Sequence, residues 1–161
     1  MKLVICEKPS VAKAVASALG VTSRADGCFE GNGLIVSWCV GHLVSPMDAA
    51  GYDLGYKKWK YDDLPILPEP FRYVLAKGKE DAFQNLKHLM EREDVTELVN
   101  ACDAGREGEL IFRLVYEMAG CRKPFSRLWI SSMEDAAIRE GFADLRPGAE
   151  YDPLYQSALC R

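Results

Sequence analysis

No stretch of the 161 residues approaches the ~18 consecutive apolar residues that a membrane-spanning helix needs, so no membrane partner is expected. The opening Met1-Lys2-Leu3-Val4-Ile5-Cys6-Glu7-Lys8-Pro9 meets charge too soon for a signal peptide, and no export is expected. Paired cysteine motifs are also missing. Cys6, Cys28, Cys39, Cys102, Cys121 and Cys160 form no CxxC and share no Cys/His spacing, which favours free, buried thiols in a reducing cytoplasm over zinc. Excess positive charge is absent as well. With a net charge of -4, the chain as a whole has no broad grip on phosphates, so any nucleic-acid contact has to come from a local basic loop.

What remains is a composition able to fold. The chain is about one domain long, 48% hydrophobic and 27% charged, which excludes a disordered tail or a small disulfide scaffold. Leu3-Val4-Ile5-Cys6 reads as a short buried parallel strand. Pro9 and Ser10 open a helix with Val11, Val15, Ala18 and Leu19 inward, stopped at Gly20. Gly33–Val40 is a second strand, Phe71–Ala76 a third, and Glu80–Arg92 a helix burying Phe83, Leu86, Leu89 and Met90. Glu97–Cys102 is the next strand, ending at Asp103. A helix follows with Leu110, Ile111, Leu114, Val115 and Met118 inward. Ser126–Ile130 is one more strand, and Ser132-Met133-Glu134-Asp135 resembles the cap of a helix through Phe142. Alternating strands and helices predict an α/β fold with a mainly parallel sheet flanked by helices.

Between Ser45 and Pro70 the periodicity fails. Prolines at 46, 65, 68 and 70 and the aromatics Tyr52, Tyr56, Trp59 and Tyr61 predict an ordered loop excursion rather than a regular element. Asp152 and Pro153 start a last helix that runs to Arg161 without a stop signal. The expectation is a domain over 1–150, with 151–161 the truncated start of the next.

Ligands of an open parallel sheet bind outside the carboxyl ends of its strands. Glu7 and Asp103 both fall at such ends, and Glu107 follows Asp103 by four residues, on the same side if a helix begins there. Three carboxylates with no His or Cys among them make a hard oxygen site suited to Mg²⁺, which shares its ligands with phosphates. Arg106 adds a positive charge beside the acids. A plainer account also fits each residue alone: Glu7 as a solvated rim residue, Asp103 as a helix cap. Against it stands the string Asp103-Ala104-Gly105-Arg106-Glu107-Gly108-Glu109, whose two glycines harm a helix start for no gain in stability.

Cys6-Glu7-Lys8-Pro9-Ser10, Val40-Gly41-His42-Leu43 and Asp103–Glu109, in that order, resemble the Toprim domain of type IA DNA topoisomerases, above all those of the topoisomerase III kind. Trp59–Pro65 and Arg127–Ser132 are similar too, so the likeness covers essentially the whole chain. It implies a Rossmann-like Toprim fold carrying the acidic half of an active site. By the same resemblance, a tyrosine from another domain is expected to attack single-stranded DNA, Glu7 to handle the proton of the leaving 3′ oxygen near the metal, Lys8 to position the scissile phosphate, and Asp103 and Glu107 to hold Mg²⁺. The chain departs from the common pattern at Gly105, where many relatives have a second aspartate; metal binding is then expected to be weaker or to draw on Glu107, Glu109, water and DNA phosphate.

None of Tyr52, Tyr56, Tyr61, Tyr73, Tyr116, Tyr151 and Tyr155 matches the attacking tyrosine, so this chain alone is expected to be inactive and monomeric. Its partners are expected to be single-stranded DNA and the remaining domains of a longer chain. Tyr56-Lys57-Lys58-Trp59-Lys60-Tyr61 is the best local candidate for strand contact, with Trp59 stacking on a base and Lys58 and Lys60 on phosphates. The alternative is a Trp59 folded over the loop's own core. Lys8, Arg106 and Arg161 complete the DNA-binding candidates. His42 is assigned no catalytic role, and His88 is read as surface. Two other readings stand beside the topoisomerase: a stand-alone Toprim nuclease or primase-like protein, and a catalytically silent nucleic-acid-binding module.

Overall fold

The computed structural model describes residues 1–160; Arg161 lies outside the described residues. In chain order the strands are β1 (Lys2–Cys6), β2 (Ser23–Ala25), β3 (Cys28–Gly31), β4 (Leu34–Trp38), β5 (Val44–Pro46), β6 (Tyr73–Leu75), β7 (Glu97–Ala101), β8 (Phe125–Arg127) and β9 (Arg146–Pro147). The α-helices are α1 (Pro9–Ala18), α2 (Ala49–Tyr52), α3 (Glu80–Glu91), α4 (Arg106–Met118), α5 (Asp135–Ala143) and α6 (Asp152–Leu159), with 3-10 turns at Leu54–Lys58, Tyr61–Asp63 and Gly148–Tyr151.

Side chains of a strand alternate between the faces of its sheet, and β1 is apolar on both. Leu3 aligns with Ile35 of β4 and Leu98 of β7, and all three join the apolar cluster that includes Phe83 and Leu86 of α3 and Ile111 and Phe112 of α4. Val4 aligns with Val36 and Val99 on the opposite face, where Val15 of α1 and Ile138 of α5 cover them. A strand buried on both faces needs a helical layer on each, and burial of each such side chain contributes ~1.5–3 kcal/mol. The sheet order is β2-β3-β4-β1-β7-β8-β9, with β4-β1-β7-β8 parallel and β2, β3 and β9 antiparallel at the edges. This is the expected α/β architecture with a mainly parallel sheet.

The structure differs from the sequence reading in its details. The strand beginning near Ser126 spans only Phe125–Arg127, and Ser132 does not cap α5; its hydroxyl accepts from the Glu134 amide, and the helix starts at Asp135. Met118 is exposed at the last turn of α4 rather than inward. Asp103 does not cap α4 either, since the N-cap is Gly105. The 45–70 excursion is closed at its base by antiparallel pairing of β5 with β6, Val44 opposite Leu75 and Pro46 opposite Tyr73. Helix α6 lies against α4, where Tyr155 and Ala158 are buried and Asp152 pairs with Arg113 at 2.7 Å.

Candidate active site

Strands β4, β1 and β7 are neighbours and parallel, so the segments leaving their carboxyl ends share one rim. Glu7 and Lys8 leave β1, Gly41 and His42 follow β4, and Asp103 follows β7. Pro9 occupies the first position of α1 and disfavours a helical residue before it, so Lys8 stays extended (φ -137°, ψ 151°). The amides of Cys39 and Gly41 donate to the carbonyls of Cys6 and Glu7, tying the end of β4 to that of β1. Gly41 has φ 73°, a left-handed turn that glycine takes without strain, and the turn leads into His42.

The Lys8 ammonium lies 3.5 Å from Glu7 Oε1 and 3.7 Å from Asp103 Oδ2. Glu7 is nearly buried, with its side chain 11% exposed, whereas the Asp103 side chain is 51% exposed. The Glu7 carboxylate first, and Asp103 second, hold the Lys8 ammonium above its ordinary pKa. Lys8 is thus a protonated cation between two carboxylates. Glu107 reaches a different partner, 2.5 Å from His42 Nε2. His42, Arg106 and Glu107, with Pro46, Leu110 and Ala158, line a cleft of about 580 Å³.

Among the described residues, no three His, Cys, Asp or Glu side chains gather closely enough to hold a metal by themselves. Glu7 and Asp103 do converge on one cation, the Lys8 ammonium. A pair of hard carboxylates at one point suits Mg²⁺, which is commonly held by one or two carboxylates together with water and phosphate.

Glu109 is not available to a metal. It is fully buried, 2.9 Å from Arg113 Nε and 3.0 Å from Arg127 Nε, and its Oε2 accepts from the Asn100 amide at 3.0 Å. The expectation that it could replace the missing aspartate is corrected on that ground: a carboxylate between two guanidinium groups in the core has no route to the rim. The two glycines of the motif also separate. A side chain on Gly108 would put its Cβ 2.1 Å from the Asp103 carbonyl oxygen, so glycine is needed there for helix and loop to touch. Gly105 has open space around it and an extended backbone (φ 173°), so nothing steric prevents an aspartate.

Arg127, which the sequence places in a strand and in a stretch of family likeness, has no assigned role there, although an arginine beside Leu128-Trp129-Ile130 is an unusual residue to bury. It is fully buried, and desolvation pulls its guanidinium below the ordinary arginine range while Glu109 opposes that shift. His42 was named but given no role; its position directly after a glycine at a strand end was the available signal. Lys58, Trp59 and Lys60 are all exposed on the excursion, Trp59 by 58%, so the tryptophan is not folded over the loop's own core. Leu54, Tyr61, Leu67 and Phe71 are exposed with it. Arg106 is exposed on the cleft.

The Toprim domain family matches residues 2–133. The chain is 46% identical over 160 residues to a DNA topoisomerase 3 of Shouchella clausii and 46% identical over 159 residues to a DNA topoisomerase 3 of Bacillus subtilis, in each case covering 99% of this chain. It spans only 22% of the length of those relatives. The solved structure of full-length topoisomerase I from Thermotoga maritima superposes over 99% of this chain and 23% of its own, with a TM-score of 0.63 and 24% identity, a likeness of fold. With a match that runs from β1 through the loop before α5 and takes in Glu7, Lys8, Asp103 and Glu107, the chain belongs to the Toprim domain family.

Proposed function

We propose that this chain is the Toprim domain of a type IA DNA topoisomerase of the topoisomerase 3 kind, supplying the acidic half of a site that cuts and rejoins one DNA strand. The observation that carries the reading is the Lys8 ammonium held between Glu7 and Asp103 on the rim of a Toprim sheet. Strand cleavage by a tyrosine from a further domain forms a bond from its oxygen to phosphorus and breaks the bond to the 3′ oxygen. That oxygen leaves with developing negative charge and needs a proton. Glu7, nearly buried and beside Lys8, directs the proton to it. Lys8 offers its positive charge to the scissile phosphate, swinging from the carboxylates it now bridges.

Glu7 and Asp103 would hold Mg²⁺, with Glu107 joining them once it turns from His42, and a bound Mg²⁺ supplies positive charge to the phosphate oxygens. Trp59 stacks on a base of single-stranded DNA, while Lys58, Lys60, Arg106 and Arg161 follow its phosphates. The remaining domains of the longer protein bring the tyrosine, and the enzyme works in the cytoplasm. Glu7→Gln in the full-length protein is expected to abolish cleavage and leave single-strand binding largely intact; equal loss of both contradicts the proton role. Gly105→Asp is expected to tighten Mg²⁺ binding to the 161-residue chain. If neither wild type nor Gly105→Asp binds Mg²⁺, with or without an oligonucleotide, the chain is a silent nucleic-acid-binding module.

A further inference from the structure

The loop from Cys102 to Gly105 carries Asp103 out of β7 into α4; the Gly105 carbonyl accepts from the Glu109 amide of α4 at 3.1 Å, while the carbonyls of Cys102 and Asp103 take a side-chain donor instead. Arg127 meets them from below. Its Nη1 donates to the carbonyls of Cys102 (2.6 Å), Asn100 (3.0 Å) and Leu128 (3.0 Å), and its Nη2 donates to the carbonyl of Asp103 itself (2.7 Å). Its Nε lies 3.0 Å from Glu109 Oε2 without the angle of a hydrogen bond, so the two are paired by charge. Asn100 closes the arrangement, donating to Glu109 and accepting from the Cys102 amide at 3.1 Å. On the opposite side of the loop, Gly108 lets α4 touch the Asp103 backbone.

We propose that Arg127 is a positioning residue for Asp103, holding the main chain of the 102–103 turn so that the carboxylate stands opposite Glu7 and Lys8. The role depends on the planar fork of a guanidinium. The two terminal nitrogens of one rigid guanidinium reach the Cys102 and Asp103 carbonyls at once, which a lysine cannot reproduce although it keeps the charge facing Glu109. Glu109 in turn holds the fork at the right depth. The inference rests on the reading of Asp103 as a functional carboxylate, and its mechanism is that of an outer-shell residue whose loss weakens a metal site it never touches.

The test compares Arg127→Lys with Leu89→Ala, which opens a cavity on α3 away from the loop and serves as a control for lost stability. Calorimetry with Mg²⁺ alone is expected to show affinity about tenfold weaker in Arg127→Lys and within twofold of wild type in Leu89→Ala. Amide hydrogen exchange at Asp103 and Ala104 is expected to speed up in the first variant only. Equal Mg²⁺ affinity and equal exchange in Arg127→Lys, or the same losses in Leu89→Ala, overturn the inference. If wild type binds no Mg²⁺, it is the reading of Asp103 that fails, and the exchange rates alone decide the role of Arg127. Should Arg127→Lys not fold, Glu109→Gln/Arg127→Met removes the facing charges together and is read in the same way. In the wild-type chain, the Arg127 Nη–H signals are expected to be resolved and slow to exchange; fast-exchanging signals overturn the proposal without any variant.

Discussion

Gly108→Ala and Gly105→Ala change the same residue type three positions apart and should move stability in opposite directions. At 108 the added methyl group would sit 2.1 Å from the Asp103 carbonyl oxygen and 2.8 Å from its nitrogen. Non-bonded carbon atoms settle at ~3.5–4.0 Å, so the loop has to retreat by about an ångström or more. That retreat strains a packed region, at a cost of ~1–3 kcal/mol, and pulls the Asp103 carbonyl from the Arg127 Nη2 that donates to it at 2.7 Å, at ~1.5–3 kcal/mol for a charged donor. Alanine's better helix propensity returns at most ~1 kcal/mol. The net expectation is a loss of about 1.5–5 kcal/mol. At 105 nothing lies within reach of the methyl group and the backbone is extended, so alanine only restricts the unfolded chain and stabilises by ~0.4–1 kcal/mol. Urea unfolding measures both; with a slope of ~1–3 kcal/mol per molar, the two midpoints should separate to either side of wild type. A Gly108→Ala midpoint at or above that of wild type would refute the close approach of α4 to the Asp103 loop.

Three further outcomes follow from the same geometry. Glu109→Gln leaves Arg127 buried without its counter-charge and should cost ~3–5 kcal/mol in chemical denaturation; a change below ~1 kcal/mol contradicts the buried pair. The Lys8 ammonium, raised by Glu7 and Asp103, should titrate by NMR above the ~10.4 of a free lysine, and Glu7→Gln should bring it back toward that value. Because the folded value is the raised one, this pairing stabilises fully below pH ~10.4 and is lost as pH climbs past the folded value. A thiol reagent should modify exposed Cys160 first and leave Cys6, Cys28, Cys39 and Cys102 untouched until the chain unfolds; burial pushes the thiols of Cys6 and Cys28 up, and fast loss of all six would deny the compact core.

The central strands were legible because they are apolar on both faces: Leu3–Cys6 is apolar throughout, Leu98–Cys102 is broken only by Asn100, and both pack against helices on both sides. The edge strands were not. Ser23–Ala25 is wholly exposed and Arg146–Pro147 is two residues long, so neither carries an alternating pattern to read. At the site, Glu7 and Asp103 could be placed on one rim by their positions after parallel strands. Glu109 could not be told from a rim acid, since its burial depends on Arg113, four residues along α4, and on Arg127, eighteen residues on at the end of β8. The same long-range contact hid Arg127. Gly108 and Gly105 look alike in the sequence, and only the approach of the Asp103 backbone separates them.

Manganese broadening of backbone amide signals in the 161-residue chain addresses the charged rim most directly, because a paramagnetic ion standing in for Mg²⁺ erases signals near where it binds. The expected pattern is early loss at Glu7, Lys8, Asp103 and Ala104, with Glu107 and His42 close behind. Early loss centred instead on an exposed acidic turn such as Asp62-Asp63, with the ends of β1 and β7 unaffected, would contradict a cation site shared by Glu7 and Asp103.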